Sequence, residues 1–138
     1  MVVQDFTEGE MLTFDEVQEV LSQFADELPE GIYEDLNGGI ILLPDIKMHP
    51  ESVGKDLYIM GEYHYNPSGM GRYITIYYGS FSCVHGNLSD EGLKKRLKEV
   101  LHHELTHHLE HKAGDRSLEI KDEIDMARYK RGRIYRKR

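Results

Sequence analysis

The stretch "NLSDEGLKKRLKEVLHHELTHHLEHKAG", residues 87–114, contains the strongest helical pattern in the chain. Ser89 is a good helix N-cap, and acidic residues follow it in the first turn. Leucine then recurs every four residues, which is typical of one apolar helix face, and Gly114 is a typical C-terminal stop. The pattern predicts a long amphipathic helix that ends at Gly114 and carries five leucines on its buried side: Leu93, Leu97, Leu101, Leu105 and Leu109.

Five of the eight histidines lie within this helix, and two of them form a metal-site pattern. His103-Glu104-Leu105-Thr106-His107 matches H-E-x-x-H. Imidazoles four residues apart lie on one helix face, about 5–6 Å from each other, so two ring nitrogens can bind one ion at ~2.0–2.1 Å. Glu104 lies about 100° around the helix, where it reaches a metal-activated water rather than the metal. The pattern predicts His103 and His107 as zinc ligands and Glu104 as general base.

A third ligand has to come from elsewhere, because a catalytic zinc normally has three protein ligands and one open position. After the turn at Gly114, a second helix predicted from about Ser117 to Tyr129 returns beside the first and carries three acids. Glu119 is the preferred ligand, because it lies early in this helix. Glu123, one turn later, then orients a histidine through its distal nitrogen. Asp122 is the alternative for either role.

The remaining histidines are predicted not to bind the same ion. His102 and His108 fall off the metal face, so we expect partly exposed polar side chains. His111 is about 12 Å of helix rise from His103, too far for a shared ion, although it could form an alternative pair with His107. Three further histidines have no spacing that suggests ligation: His49, His64 and His85.

The rest of the chain alternates helical and strand signals. A capping box at Thr13 and Glu16 predicts a helix over about residues 13–27. "LPEGIYEDLNGG" is typical of a short helix and "GIILLP" of a strand, while "KDLYIMGEYHY" and "GRYITIYYGSF" flank the turn residues "NPSGMG" and predict an antiparallel hairpin. We therefore expect an α+β fold, in which a small mixed sheet of three or more strands packs against the two site helices, with a further helix at the N-terminal end.

Length and charge indicate one acidic domain with a basic end. A chain of 138 residues suits a single core, which we place in residues 1–129. That part has a net charge of −14, whereas "KRGRIYRKR", residues 130–138, contains six cations. We interpret residues 130–138 as a solvated basic tail. No nucleic-acid partner is predicted, because the acidic body would repel phosphate.

Composition also favours a cytoplasmic location. Cys83 is the only cysteine, so no intrachain disulfide can form. The first residues, "MVVQDFTEGEM", have neither a basic start nor an apolar run that would direct export. No stretch approaches the ~20 apolar residues that cross a bilayer. We therefore expect a soluble protein with no membrane partner.

The segment "HHELTHHLEHKAGDRSLEIKDE", preceded by "LYIMGEYHY" and "RYITIYYGSF", resembles the small bacterial zincin-like metallopeptidases with a minimal zincin fold. The resemblance covers roughly residues 30–127. It implies that an active-site helix and the following helix pack on a small sheet. It also implies Zn²⁺ as cofactor, with His103 and His107 as ligands and Glu104 as general base and acid.

The resemblance does not supply the third ligand. Members of the family continue H-E-x-x-H-x-x-G-x-x-D, but this chain has Glu110 in place of the glycine and Ala113 in place of the aspartate. The glycine comes four residues later, as Gly114, which implies one extra helical turn. A glutamate from the second helix is similar to the arrangement in thermolysin-like enzymes, and this supports Glu119.

The leading hypothesis is a zinc metallopeptidase that hydrolyses a peptide or protein substrate with a metal-activated water. A sheet edge should then border the cleft, where an extended peptide can add as a strand. Four tyrosines are candidates to hold a substrate carbonyl, although cross-strand packing explains them more simply: Tyr63, Tyr65, Tyr73 and Tyr77. The alternative is a non-catalytic zinc-binding regulatory or interaction protein on the same scaffold, in which a fourth protein ligand closes the shell. A metal-free helical surface is the third possibility.

Overall fold

The computed structural model of the chain describes residues 11–136. In chain order the elements are α1 (Phe14–Asp26), a 3-10 helix (Glu30–Tyr33), β1 (Gly39–Leu43), β2 (Gly61–Asn66), β3 (Gly71–Tyr77), α2 (Tyr78–His85), α3 (Asp90–Ala113) and α4 (Ser117–Arg136). The described part is thus an α+β structure with four α-helices and a three-stranded mixed sheet. The predicted fold class is confirmed at this level.

The sheet has the strand order β1-β3-β2. β1 runs parallel to β3, with Gly39 opposite Tyr73, and β2 runs antiparallel to β3, with Gly61 opposite Ile76. The predicted hairpin is therefore confirmed, although its first strand begins at Gly61 and not at Lys55. β2 lies at one edge of the sheet, so one of its backbone sides has no partner strand within the sheet.

The core lies between one face of the sheet and the helices α1 and α3. Ile74 and Ile76 of β3 are fully buried and belong to a single apolar cluster with residues from both helices. The buried members from α1 and α3 are Val17, Val20, Leu21, Leu93, Leu97, Val100, Leu101 and Leu105. This packing holds α3 against β2 and β3.

The capping signals are confirmed at three helix ends. Thr13 N–H donates to Glu16 Oε1 at 2.8 Å, and Glu16 N–H donates to Thr13 Oγ1 at 3.2 Å, which is the predicted capping box. Ser89 Oγ accepts from the backbone N–H of Gly92 at 3.1 Å. Gly114 ends α3 with a φ of +73°, in the left-handed region that glycine adopts without strain.

The prediction of five buried leucines on α3 is wrong for Leu109, whose exposed fraction is 43%. A repeat of four residues advances by about 40° beyond one full turn each time, so Leu109 lies about 160° around the helix from Leu93. Seven residues, in contrast, return to nearly the same face. The buried face therefore continues from Leu97 to Glu104 and from Leu101 to His108.

Two further differences from the prediction lie near the sheet. The strand predicted over "GRYITIYYGSF" ends at Tyr77, and the chain continues as α2. Ser80, in the first turn of α2, exchanges hydrogen bonds with the backbone of Lys47, at 2.9 Å from Lys47 N–H and 3.3 Å to Lys47 O. The short helix predicted in "LPEGIYEDLNGG" is a single 3-10 turn.

The predicted helix end at Tyr129 is also wrong, because α4 continues to Arg136. Residues 130–136 of the expected basic tail are thus helical. Lys and Arg are good helix formers, and no proline interrupts this segment. Tyr129 OH also donates to Asp56 Oδ1 at 2.8 Å, and Lys130 pairs with Glu51, so the helix is attached to the loop after β1. The last two residues lie outside the described part.

Between residues 11 and 136, no helix is both long enough and apolar enough to cross a membrane.

Candidate metal site

α3 and α4 bring three side chains together at one point. His103 and His107, one turn apart on α3, have their ring centroids 4.9 Å from each other. Asp122 of α4 places Oδ2 at 3.0 Å from His107 Nε2 and 3.5 Å from His103 Nε2. One donor atom from each residue lies within 4.8 Å of the other two. These three residues form the candidate metal site.

The three donors suit a divalent metal ion by chemistry and by spacing. Two imidazole nitrogens and one carboxylate oxygen are a usual ligand set for zinc. Ligands at ~2.0–2.1 Å in tetrahedral geometry lie about 3.3 Å from each other. The two measured Asp122–histidine distances, 3.0 and 3.5 Å, are close to this value. Within residues 11–136 the cluster contains three donors, the number that a catalytic zinc normally takes.

The third member of the cluster is Asp122, not the preferred Glu119. Glu119 lies near the cleft, but its Oε2 accepts from Arg116 Nε at 3.0 Å. Glu123 does not orient a histidine, because its Oε1 accepts from Arg116 Nη2 at 3.3 Å. Leu118 and Asp122 are one turn apart on the half-buried face of α4, and Glu119 lies about 100° away from Leu118.

Glu110 connects the end of α3 to the start of α4 through two hydrogen bonds. Its side-chain Oε1 accepts from Leu118 N–H at 2.8 Å, and its backbone oxygen accepts from Asp115 N–H at 2.8 Å. Both bonds tie the end of α3 to the start of α4. They contribute to holding α4 where Asp122 lies beside His103 and His107.

Glu104 is a buried acid next to the metal site. Only 6% of its surface is exposed. Burial, followed by the negative charges of Asp122 and Glu62, raises the pKa of the Glu104 carboxyl to about 8. Among the described residues its carboxylate has neither a hydrogen-bond donor nor a cationic partner. A carboxyl with a pKa close to neutrality can take up and release a proton at physiological pH, as a general base and acid requires.

A groove crosses the site between α3 and the chain that leads into the edge strand β2. It consists of two adjoining cavities of about 400 and 370 Å³, which share Ile59, Gly61, His103 and Glu104. Glu62 and Tyr63 of β2 line the second cavity together with His107 and Asp122. The sheet edge that borders the cleft is therefore β2, a question that the sequence left open.

Gly61 allows β2 to approach α3 closely at this groove. A Cβ at this position would lie 2.9 Å from Val100 Cγ1 and 3.2 Å from the backbone oxygen of Thr75. We expect Gly61→Ala to lower the free energy of unfolding by about 1–3 kcal/mol, through overpacking, in urea titrations of the metal-free protein. Gly31→Ala is the control, because a Cβ there meets nothing within 4 Å. Equal stability of the two variants would contradict the close approach.

His108 was predicted to be partly exposed, and this is wrong, because the side chain is fully buried. Its Nε2 donates to Glu34 O at 2.9 Å, and its Nδ1 therefore accepts from Tyr63 OH at 2.9 Å. Burial lowers the pKa of His108, which favours the neutral ring. His108 is thus a structural histidine that anchors Tyr63.

Each of the four candidate tyrosines contacts another side chain of the protein. Tyr63 OH donates to His108, and Tyr77 OH donates to Glu62 Oε1 at 2.6 Å. Tyr73 stacks on His64, with ring centroids 4.5 Å apart, and Tyr65 packs under the Arg72 guanidinium. These contacts favour the packing interpretation for all four tyrosines.

The other histidines lie apart from the metal cluster, with one exception. His102 is exposed, as predicted. His111 Nδ1 accepts from Arg72 Nε at 3.2 Å, and the ring packs against Tyr63 and Tyr65, so His111 is not part of the cluster. His64 bonds to Thr75 and His85 to Arg96. The exception is His49, which lines the same cavity as the three candidate ligands, although nothing in its sequence position indicated this.

Comparison with known proteins identifies a structural relative. The chain is similar to a conserved hypothetical protein from Thermo thermophilus, with 34% sequence identity and a TM-score of 0.63, over 74% of this chain and 98% of the other. The chain belongs to the same family as that protein. No protein-family model and no curated protein matches the chain. The relative is described only as conserved and hypothetical, so the chemistry has to be inferred from the site.

Proposed function

We propose that the protein is a zinc-dependent metallopeptidase of the minimal zincin type. The observation that supports this best is the convergence of His103, His107 and Asp122 beside the buried carboxyl of Glu104, on a groove along a sheet edge. His103, His107 and Asp122 would hold the ion. Three protein ligands are the number typical of catalytic rather than structural zinc sites.

Zinc and Glu104 have separate roles in the proposed hydrolysis. When bound, zinc supplies a Lewis acid that lowers the pKa of water toward ~7 and polarises a carbonyl. Glu104 takes a proton from the water as the new C–O bond forms. It then returns this proton to the leaving amine as the C–N bond breaks, so the enzyme ends in its starting state. Its burial on α3, close to both histidines, fixes it in position for both transfers.

The substrate that fits this site is an extended peptide. β2 is an edge strand beside the metal cluster, and a peptide can add to it as a further strand. The acids that line this cavity are either paired, Glu62 with Lys47 and Glu119 with Arg116, or belong to the reaction site, so their charge does not select a side chain of the substrate.

Zinc content and peptide hydrolysis test the proposal together. We expect protein purified without chelator to contain one zinc per chain and to cleave members of a peptide library. Removal of the metal with a chelator should abolish cleavage, and added zinc should restore it. Glu104→Gln, purified in parallel, should keep the zinc but lose activity by roughly 10²–10⁴-fold, the usual contribution of a general base.

The outcomes are separable. Cleavage that persists in Glu104→Gln would come from a contaminating peptidase or another site and would contradict the mechanism. Bound zinc without cleavage of any library member by the wild-type protein would favour the non-catalytic zinc-binding alternative. If the protein contains no zinc after dialysis against excess zinc, both the peptidase proposal and the zinc-binding alternative are wrong.

A further inference from the structure

His49 lies in the cleft, far in sequence from the metal-site motif. It lines the 370 Å³ cavity together with His103, Glu104, His107 and Asp122. It also lines two adjoining cavities along α4, each of which includes Asp122. The side chain is half-buried. A histidine at this position could bind either the metal ion or the substrate.

The backbone of His49 is held by a hydrogen-bonded loop. His49 N–H donates to Leu57 O at 2.8 Å, and Ser52 N–H donates to His49 O at 3.0 Å. The preceding residue, Met48, pairs with Tyr58 in an antiparallel bridge. Tyr58 and Ile59 then lead directly into β2, so the loop fixes His49 relative to the edge strand.

The ring of His49 has one defined tautomer when it is neutral. The backbone N–H of Glu51 donates to His49 Nδ1 at 3.0 Å. Because Nδ1 is the acceptor, the single proton of the neutral ring has to be on Nε2. An Nε2 that carries a proton has no lone pair for a metal ion. The hydrogen bond therefore disfavours His49 as a fourth ligand through Nε2 and makes Nε2–H a donor.

This donor is available in the part of the chain that the structure describes. The backbone of residues 11–136 and the side chains of residues 11–132 provide no hydrogen-bond acceptor for His49 Nε2. The tyrosine of the same cavity, Tyr63, has its hydroxyl bonded to His108 Nδ1 at 2.9 Å. His49 is thus better placed than Tyr63 to donate a hydrogen bond to a substrate.

We propose that His49 is a catalytic residue whose Nε2–H donates a hydrogen bond to the carbonyl oxygen of the scissile peptide bond as that oxygen gains negative charge. This inference rests on the proposed function. A donor held in place before the reaction stabilises the developing charge without reorganisation, and removal of one such donor typically costs about 10²–10³ in kcat. His49 does not accept the proton, which passes from water to the leaving amine through Glu104.

His49→Phe tests the proposal, because phenylalanine keeps a planar ring but removes the donor. We expect kcat to fall roughly 10²–10³-fold with KM changed less than about threefold. Zinc affinity, measured with the metal alone against a chelator, should stay within about threefold of the wild type. His102→Phe is the control, since His102 is exposed and lies outside the cleft, and its kcat should be unchanged.

Two measurements do not depend on turnover. Nitrogen-15 NMR of the metal-free protein should show the Nε2–H tautomer at His49. Calorimetry should show that a phosphinic peptide, which carries a negatively charged oxygen in place of the carbonyl, binds zinc-loaded His49→Phe roughly 10²-fold more weakly than wild type. Both expectations follow from the Glu51 hydrogen bond and the open Nε2–H.

The results that overturn the proposal are distinct from those that overturn the proposed function. A loss of zinc affinity above tenfold in His49→Phe would make His49 a ligand, and an Nδ1–H tautomer or unchanged kcat would exclude the donor role. The comparison of wild type with Glu104→Gln decides the peptidase function by itself. If that comparison shows no Glu104-dependent cleavage, the His49 proposal fails with it.

Discussion

Replacement of Glu104 by glutamine is expected to stabilise the metal-free protein by about 3 kcal/mol at pH 7. Burial, with the charges of Asp122 and Glu62, raises the pKa of Glu104 from 4.5 to about 8. Between these two values the folded protein binds a proton that the unfolded chain has released. Stability therefore falls as pH rises from about 4.5 to about 8, and the uncharged glutamine removes this cost.

Urea unfolding in the presence of a chelator, at intervals from pH 4 to pH 8, measures this effect. We expect the two proteins to have nearly equal stability at pH 4 and the gap to widen as the pH rises. Glu91→Gln, at an exposed position of α3, is the control and should change the free energy of unfolding by less than about 0.5 kcal/mol. A Glu104→Gln variant that is less stable than the wild type at every pH would contradict the raised pKa of the buried Glu104 carboxyl.

Asp122→Ala is expected to weaken zinc binding by more than about 100-fold, whereas Glu119→Ala should change it by less than about threefold. Even residues that only orient metal ligands contribute 10–100-fold to affinity, so loss of a direct ligand should cost more. Asp122 Oδ2 lies 3.0 and 3.5 Å from the two histidine nitrogens, while Glu119 pairs with Arg116. Titration of the metal alone against a chelator gives both affinities.

These two variants show whether Asp122 or Glu119 is the third ligand, a choice that the sequence left open. Both acids lie on α4, and both border the cavity, so a general effect of negative charge on zinc affinity would appear equally in the two variants. A larger loss in Glu119→Ala than in Asp122→Ala would show that α4 rotates or shifts when the ion binds. Equal small losses would mean that the third ligand comes from elsewhere.

Local sequence signals predicted most of the helices. The capping box at Thr13, the cap at Ser89 and the stop at Gly114 each depend on residues within one turn of the helix end. The relative positions of His103, Glu104 and His107 follow from helix geometry alone. These features could be predicted because they depend on neighbouring residues and not on the rest of the fold.

The third member of the cluster could not be predicted from local sequence, because it depends on how two helices pack. Glu119 and Asp122 lie three residues apart, and the choice between them follows from the rotation of α4. The bonds from Glu110 to Asp115 and Leu118 fix that rotation. A carboxylate that caps the next helix gives no distinct sequence signal, so this role of Glu110 could not be predicted.

The positions of the His49 and His108 side chains depend on contacts between residues far apart in the sequence. His49 reaches the cleft because its loop pairs with the chain that enters β2, and no local pattern shows this. For His108 a signal was present, since it follows Leu101 by seven residues on the buried face of α3. The four-residue leucine repeat obscured it, because that repeat drifts around the helix.

Crystals grown with zinc test the metal site most directly, through an anomalous-difference map at the zinc absorption edge. The proposed site predicts one strong peak at ~2.0–2.2 Å from a nitrogen of each of His103 and His107 and from an Asp122 carboxylate oxygen, with a nonprotein fourth ligand. No peak between these side chains in excess zinc would contradict the central claim. A peak with four protein ligands would contradict catalysis and favour a structural ion.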